Sequence, residues 1–142
     1  MKFPIPQNNL EREALNSITA KIRKEWGFAE SFGPAGIMEK WQKFVRQVED
    51  GYQLSIHDFT HELSLRDTLE EIKNAVPSRL GQEIEATLRP WDERFYSATR
   101  FSSKPIDFAA DEGLAEWWFR IPLRAGAAIE GYLLAEGFYG TS

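Results

Sequence analysis

The stretch Asn9-Leu10-Glu11-Arg12-Glu13-Ala14-Leu15-Asn16-Ser17-Ile18-Thr19-Ala20-Lys21-Ile22-Arg23-Lys24-Glu25-Trp26 decides the fold class, because its apolar residues return by threes and fours. Leu10, Ala14, Leu15, Ile18, Ile22 and Trp26 therefore share one face of a helix, while the charged residues take the other. Asn9 stands where a short side-chain oxygen can accept a free amide of the first turn, and Gly27 follows the last periodic residue.

The same rhythm continues downstream. Phe28 to Gly33 reads as a loop, Pro34 suits a first helical turn, and Ile37, Met38, Trp41, Phe44, Val45 and Val48 form a second stripe that Gly51 ends. Ser55 with Asp58 reads as a capping box ahead of Phe59 and Leu63, and Ser64 with Asp67 repeats it ahead of Leu65, Leu69, Ile72 and Val76. Two short helices, or one bent one, are expected over 55–76. Leu80, Ile84, Leu88, Trp91 and Phe95 keep helical spacing across Pro90, whose missing N–H and bulky ring predict a kink near Arg89 or a new helix there. Residues 99–113 are polar and punctuated by Pro105 and Gly113, which predicts the longest connection of the chain. Leu114, Trp117, Trp118 and Ile121, then the small-residue run Ala125-Gly126-Ala127-Ala128 leading to Leu133 and Leu134, predict two more helices. Strand signals are sparse. The expected fold is all-α: a single-domain helical bundle of about five to seven helices spanning 1–142, one of them kinked near Pro90.

Composition sets the class. With 142 residues, 42% hydrophobic and 13% aromatic, the chain has enough apolar surface to close one core. No apolar run approaches the roughly 20 residues that cross a bilayer, so a membrane protein is not expected. The opening Met1-Lys2-Phe3-Pro4-Ile5-Pro6 lacks the apolar stretch of a signal peptide. The chain has no cysteine, which rules out disulfides and thiolate sites and fits a reducing compartment. A cytoplasmic location is the expectation.

The net charge of −5 is uneven: residues 47–75 hold two basic and seven acidic side chains, and 105–142 hold two and six. Such a balance repels phosphate backbones and attracts basic partners, so a protein partner is expected and nucleic acid is not.

The sharpest chemical pattern is His57-Asp58-Phe59-Thr60-His61, since two histidines four apart on a helix can chelate one metal. Asp58 stands where the zinc-protease pattern has a longer glutamate, and the adjacent Glu62 lies about 100° round the helix from His61, a poor third ligand. A solvated first turn with Asp58 at its N-terminus is the plainer reading. Trp91-Asp92-Glu93-Arg94-Phe95 offers two carboxylates and an arginine, but neighbours on a helix point apart, so first-turn charges after Pro90 and a local pairing of Arg94 are expected. Arg66-Asp67 is explained by capping. No Gly-x-Ser-x-Gly turn occurs, and Gly126 and Gly131 lack the Lys and Ser or Thr of a phosphate loop, so they read as close helix packing. Trp117 and Trp118 are adjacent, which puts one of them at the edge of the buried face; an exposed Trp there would serve as a binding anchor, but covering the long loop nearby as part of the core is the commoner use and the expected one. No catalytic residue, metal site or cofactor is expected from these patterns.

Trp41-x-x-Phe44, Tyr52, Asp58-x-x-x-Glu62-Leu63-x-x-Arg66-Asp67-x-Leu69 and Trp91-Asp92-x-Arg94-Phe95-x-x-Ala98-Thr99, with the tail Trp117-Trp118, Arg120 and Pro122, resemble a loose pattern in small uncharacterised acidic bacterial proteins. Some proteins of that kind are similar to immunity proteins, which neutralise a toxin made by the same cell. The resemblance covers roughly half the chain and transfers no binding residues. It implies a non-enzymatic inhibitor, and an acidic surface can steer onto the basic cleft of a nuclease toxin. The contact residues expected from the acidic helices are Glu49, Asp50, Asp58, Glu62, Glu70 and Glu71, which have few cations near them in sequence. Two other readings compete: a metal-dependent hydrolase using His57 and His61, and a structural or assembly protein whose tryptophan-rich end makes a homodimer.

Overall fold

The computed structural model describes residues 2–26, 33–106 and 114–138. Gly27 and the loop expected over 28–33 fall almost wholly outside the described residues, as does the last part of the 99–113 connection. The described chain is mostly helical: α1 (Asn9–Trp26), α2 (Pro34–Asp50), α3 (Ile56–Ala75), α4 (Ser78–Ser97) and α5 (Ala127–Ala135). Two short strands, β1 (Thr99–Phe101) and β2 (Arg120–Pro122), add an antiparallel sheet, and a 3-10 turn spans Glu116–Phe119. Among the described residues no helix is long and apolar enough to cross a membrane.

Three local expectations are corrected. The box that starts α1 is built on Asn8, not Asn9: the Glu11 amide donates to Asn8 Oδ1 at 2.9 Å, and the Gln7 amide donates to Glu11 Oε1 at 2.7 Å. Helix α3 runs unbroken through Ser64, whose hydroxyl donates to the Thr60 carbonyl at 3.1 Å within the helix instead of capping a new one. Helix α4 likewise continues through Pro90, so Asp92 and Glu93 lie well inside a helix and not in a first turn. The strands were not anticipated. Three-residue strands are too short for an alternation of apolar and polar positions to announce them.

The chain divides into two compact units, Met1–Gln42 with Leu65–Trp91, and Lys43–Ser64 with Asp92–Ser142. Helices α2, α3 and α4 each give one part to each unit.

The first unit has an aliphatic core: Ile22, Ile37, Leu69, Ile72, Leu80 and Ile84 are all buried, and so is the indole of Trp41. Their three- and four-residue spacing is what the sequence predicts, and burying a side chain of this size stabilises by about 1.5–3 kcal/mol each. Long-range ion pairs tie its elements. Arg79 of α4 donates twice to the buried Glu11 of α1, from Nε at 2.6 Å and Nη2 at 2.5 Å, and Lys21 of α1 reaches Glu71 of α3 at 3.2 Å. Gly81 permits the turn between α3 and α4, because a Cβ there would stand 2.8 Å from the Lys73 carbonyl oxygen.

The second unit has an aromatic core. Phe44, Tyr52, Phe59 and Phe95 are fully buried, and Phe59 meets Phe44 and Tyr52 edge to face at 5.1 and 5.2 Å between ring centroids. Such pairs add about 0.5–1.5 kcal/mol each beyond the area they bury. Thr99 faces Pro122, Arg100 faces Ile121 and Phe101 faces Arg120 across the sheet. The Ser102 amide donates to the Phe119 carbonyl and the Leu123 amide to the Ala98 carbonyl, so ladder bonds fall at alternate positions and Pro122 occupies one that needs no donor. Gly126 reads not as helix packing but as a close backbone crossing: its amide donates to the Tyr52 carbonyl at 2.6 Å, and a Cβ would stand 2.8 Å from that oxygen. Gly131 has nothing within 4 Å of its Cβ position, so close packing does not explain it. Trp117 and Trp118 are both buried on the 3-10 turn, which fits the core role expected of them and leaves neither as an exposed anchor.

Candidate functional site

Four of the six acidic residues expected to bind a partner, Glu49, Asp50, Asp58 and Glu62, belong to the second unit, and Glu70 and Glu71 belong to the first. Their surroundings differ. In the first unit, Glu70 accepts from Arg66 at 3.0 Å and from Lys73 at 2.6 Å, and Glu71 accepts from Lys21. Burial works to raise the Glu70 pKa, but the Lys73 and Arg66 bonds outweigh it and hold the carboxyl below its ordinary range. The expectation that these acids lack cations therefore fails for Glu70 and Glu71.

It fails also for Glu49, for a different reason. Arg94 reaches beyond its own helix: from α4 it forks onto Glu49 of α2, with Nε at 2.8 Å and Nη2 at 2.6 Å, and the bond lowers the Glu49 pKa. This pair lines a cavity of about 260 Å³ with Val48, Ser97, Ala98, Leu123 and Arg124. A bidentate pair already satisfies the charges there, so the pair is best read as a fastener between α2 and α4.

Asp50 is the contrast. It is exposed, no cation among the described residues pairs with it, and it sits in the last turn of α2, which holds no basic residue. The helix dipole ends there in partial negative charge, so an unpaired carboxylate costs stability at that position. Asp58 is exposed at the start of α3, and its role as a cap is confirmed: Ser55 donates to Asp58 Oδ2 through its hydroxyl at 2.8 Å and its amide at 3.3 Å. Glu62 stands one turn further on, half-buried. Burial, and then the negative charges of Asp58 and Glu62, push the Tyr52 hydroxyl well above its ordinary pKa. That hydroxyl is buried with no hydrogen-bond partner among the described residues.

His57 and His61 are both exposed on α3. Among the described residues no three His, Asp or Glu side chains are grouped so as to hold a metal ion.

Sequence reasoning missed two residues that organise the units. Glu11 is one, although Asn8-x-x-Glu11 carries a capping-box signal one residue before Asn9. Arg120 is the other. Its Nε donates to Thr99 Oγ1 at 3.1 Å, and its Nη2 donates to the carbonyls of Tyr96 and Thr99, both at 2.9 Å, closing the C-terminal end of α4 against the sheet. Nothing local in the sequence around Arg120 announces partners more than twenty residues away.

The charge count follows the division into units. The first holds ten basic and ten acidic side chains, the second seven basic and twelve acidic, so the whole net charge of −5 belongs to the second. Comparison with known proteins brings no further guide: no family model, no curated protein and no solved structure matches the chain.

Proposed function

We propose that the chain is a non-enzymatic, cytoplasmic binding protein of the immunity type, which neutralises a cognate bacterial toxin by covering a basic surface of it. The observation that carries the reading is the charge of the second unit. Its seven basic and twelve acidic side chains leave an acid surplus, and Asp50 is kept unpaired at the negative end of α2, where a neutral residue would be more stable. Residues held against stability are candidates for binding. Of the six expected contact residues, the exposed Asp50 and Asp58 are the core of the proposed surface, with the half-buried Glu62 one turn along α3 from Asp58. Glu49, Glu70 and Glu71 would contribute only through the field they share with their cations.

A metal-dependent hydrolase on His57 and His61 has no observation in its favour, since two exposed imidazoles without a third grouped ligand make a weak site. A tryptophan-mediated homodimer loses its basis in the burial of Trp117 and Trp118.

The test is titration of the purified chain with the toxin domain encoded by the neighbouring gene, at about 50 mM and about 500 mM salt. A one-to-one complex that weakens by about tenfold or more at the higher salt is expected. Absence of a complex at low salt overturns the proposal.

A further inference from the structure

A cavity of about 490 Å³ lies where the end of α4, β1 and the 3-10 turn meet in the second unit, lined by Tyr96, Phe101, Leu114, Glu116, Phe119 and Arg120. Its size falls within the roughly 300–1,000 Å³ of small-molecule sites, and so does its make-up, since mostly apolar walls carry a few polar groups. Four of the six lining side chains are aromatic or aliphatic, and Phe101 leaves 65% of its surface exposed.

The two charges are what give the cavity a chemistry. Glu116 and Arg120 are four residues apart and do not pair with each other. Arg120 is fixed: Nε and Nη2 are taken by Thr99 and by the Tyr96 and Thr99 carbonyls, and its guanidinium lies 5.1 Å from the Tyr96 ring centroid. Its Nη1 has no partner among the described residues. Glu116 accepts a single bond, from the Tyr96 hydroxyl to Oε2 at 3.3 Å, which leaves Oε1 open. A pre-positioned donor and an open acceptor thus share a pocket with aromatic walls, and neither satisfies the other.

We infer that this cavity binds a small zwitterion with an aromatic body, of the class of a free aromatic α-amino acid. The ligand carboxylate meets Arg120 Nη1, the ammonium meets Glu116 Oε1, and the ring lies against Phe101, Phe119 and Tyr96. Each charged end answers an unsatisfied group, which is why removing either end from the ligand costs affinity. The inference does not depend on the toxin-binding reading.

The probe is L-phenylalanine, compared by calorimetry and by NMR chemical shifts with 3-phenylpropanoate, which lacks the ammonium, and phenethylamine, which lacks the carboxylate. L-Phenylalanine is expected to bind at least about tenfold more tightly than either, with shifts at the cavity residues. Glu116→Gln should reduce it to the affinity of 3-phenylpropanoate while leaving that of 3-phenylpropanoate unchanged, and Phe101→Ser should weaken all three. Both side chains are exposed, so circular dichroism of the variants serves as a check that they fold. No saturable binding of L-phenylalanine up to about 10 mM, equal affinity for the three probes, or indifference to Glu116→Gln would overturn the inference.

Discussion

The two units solve the problem of a helical chain differently. The first is aliphatic within, electrically neutral as a whole, and fastened by ion pairs between distant elements, of which Glu11 with Arg79 is the most enclosed. The second is aromatic within, carries the entire net charge, and tolerates two local costs: an unpartnered buried hydroxyl at Tyr52 and an unpaired carboxylate at Asp50. A region optimised for folding alone would have removed both at a single substitution. The difference teaches that the two units are built on different terms, and the proposed binding surface rests on the second.

The largest expected effect tests the cores. Phe59→Ala should cost about 3–5 kcal/mol, and Leu69→Ala about 2–5 kcal/mol, in urea unfolding, because each leaves a cavity among fully buried neighbours. A loss under about 1 kcal/mol at Phe59 would mean that the aromatic cluster does not hold the second unit.

The ionic fastening of the first unit is read through pH. The Arg79 bonds, and the Gln7 amide, depress the Glu11 pKa below its ordinary 4.5. A depressed carboxyl contributes stability that is present above the ordinary value and is lost as pH falls through the lower, folded one. The urea midpoint of the wild type should therefore decline below about pH 4.5, and Glu11→Gln should start lower and decline less steeply. Parallel curves for the two proteins would remove Glu11 from the account.

Smaller effects have the opposite sign. Tyr52→Phe should stabilise by about 1 kcal/mol, since it deletes a buried hydroxyl that nothing satisfies. Asp50→Asn should stabilise by about 0.3–1 kcal/mol through the α2 dipole, whereas Glu71→Gln in the first unit should cost a few tenths, about the worth of an exposed pair with Lys21. Equal destabilisation by Asp50→Asn and Glu71→Gln in thermal melts would erase the contrast between the units.

Much of the helical architecture was legible in the sequence, and the reasons it stopped there are physical. The stripes over α2 to α4 were readable because helical burial repeats every three or four residues, and the buried set from Ile37 to Phe95 follows that repeat, whereas in α1 Ile18 and Ile22 are buried but Leu10, of the same expected stripe, is exposed. Neither Pro90 nor Ser64 ends its helix, because a local signal to stop can be outweighed by packing on both sides of it: Leu88 and Trp91 flank Pro90, and Leu63 and Leu65 flank Ser64, all buried. The sequence does not say which acids of the stretch 47–75 share a surface; the fold assigns Glu70 and Glu71 to the neutral unit and joins Asp50, Asp58 and Glu62 to the acidic C-terminal third of the chain. Charge along a sequence does not say which cations the fold will bring. Arg79, Arg94 and Arg120 all find partners that are twenty or more residues distant, and no spacing rule reaches that far.

The central claim is that the second unit's surplus acid is kept for a basic partner. It is tested most directly by measuring the affinity of the neighbouring gene's toxin domain for the wild type and two variants with the same change in net charge: Asp50→Lys in the second unit and Glu13→Lys, an equally exposed acid, in the first. The account predicts that Asp50→Lys weakens binding by about tenfold or more while the protein becomes no less stable, and that Glu13→Lys changes affinity by less than about twofold. Equal loss from both variants would reduce the effect to overall charge, and no loss from Asp50→Lys would contradict the claim.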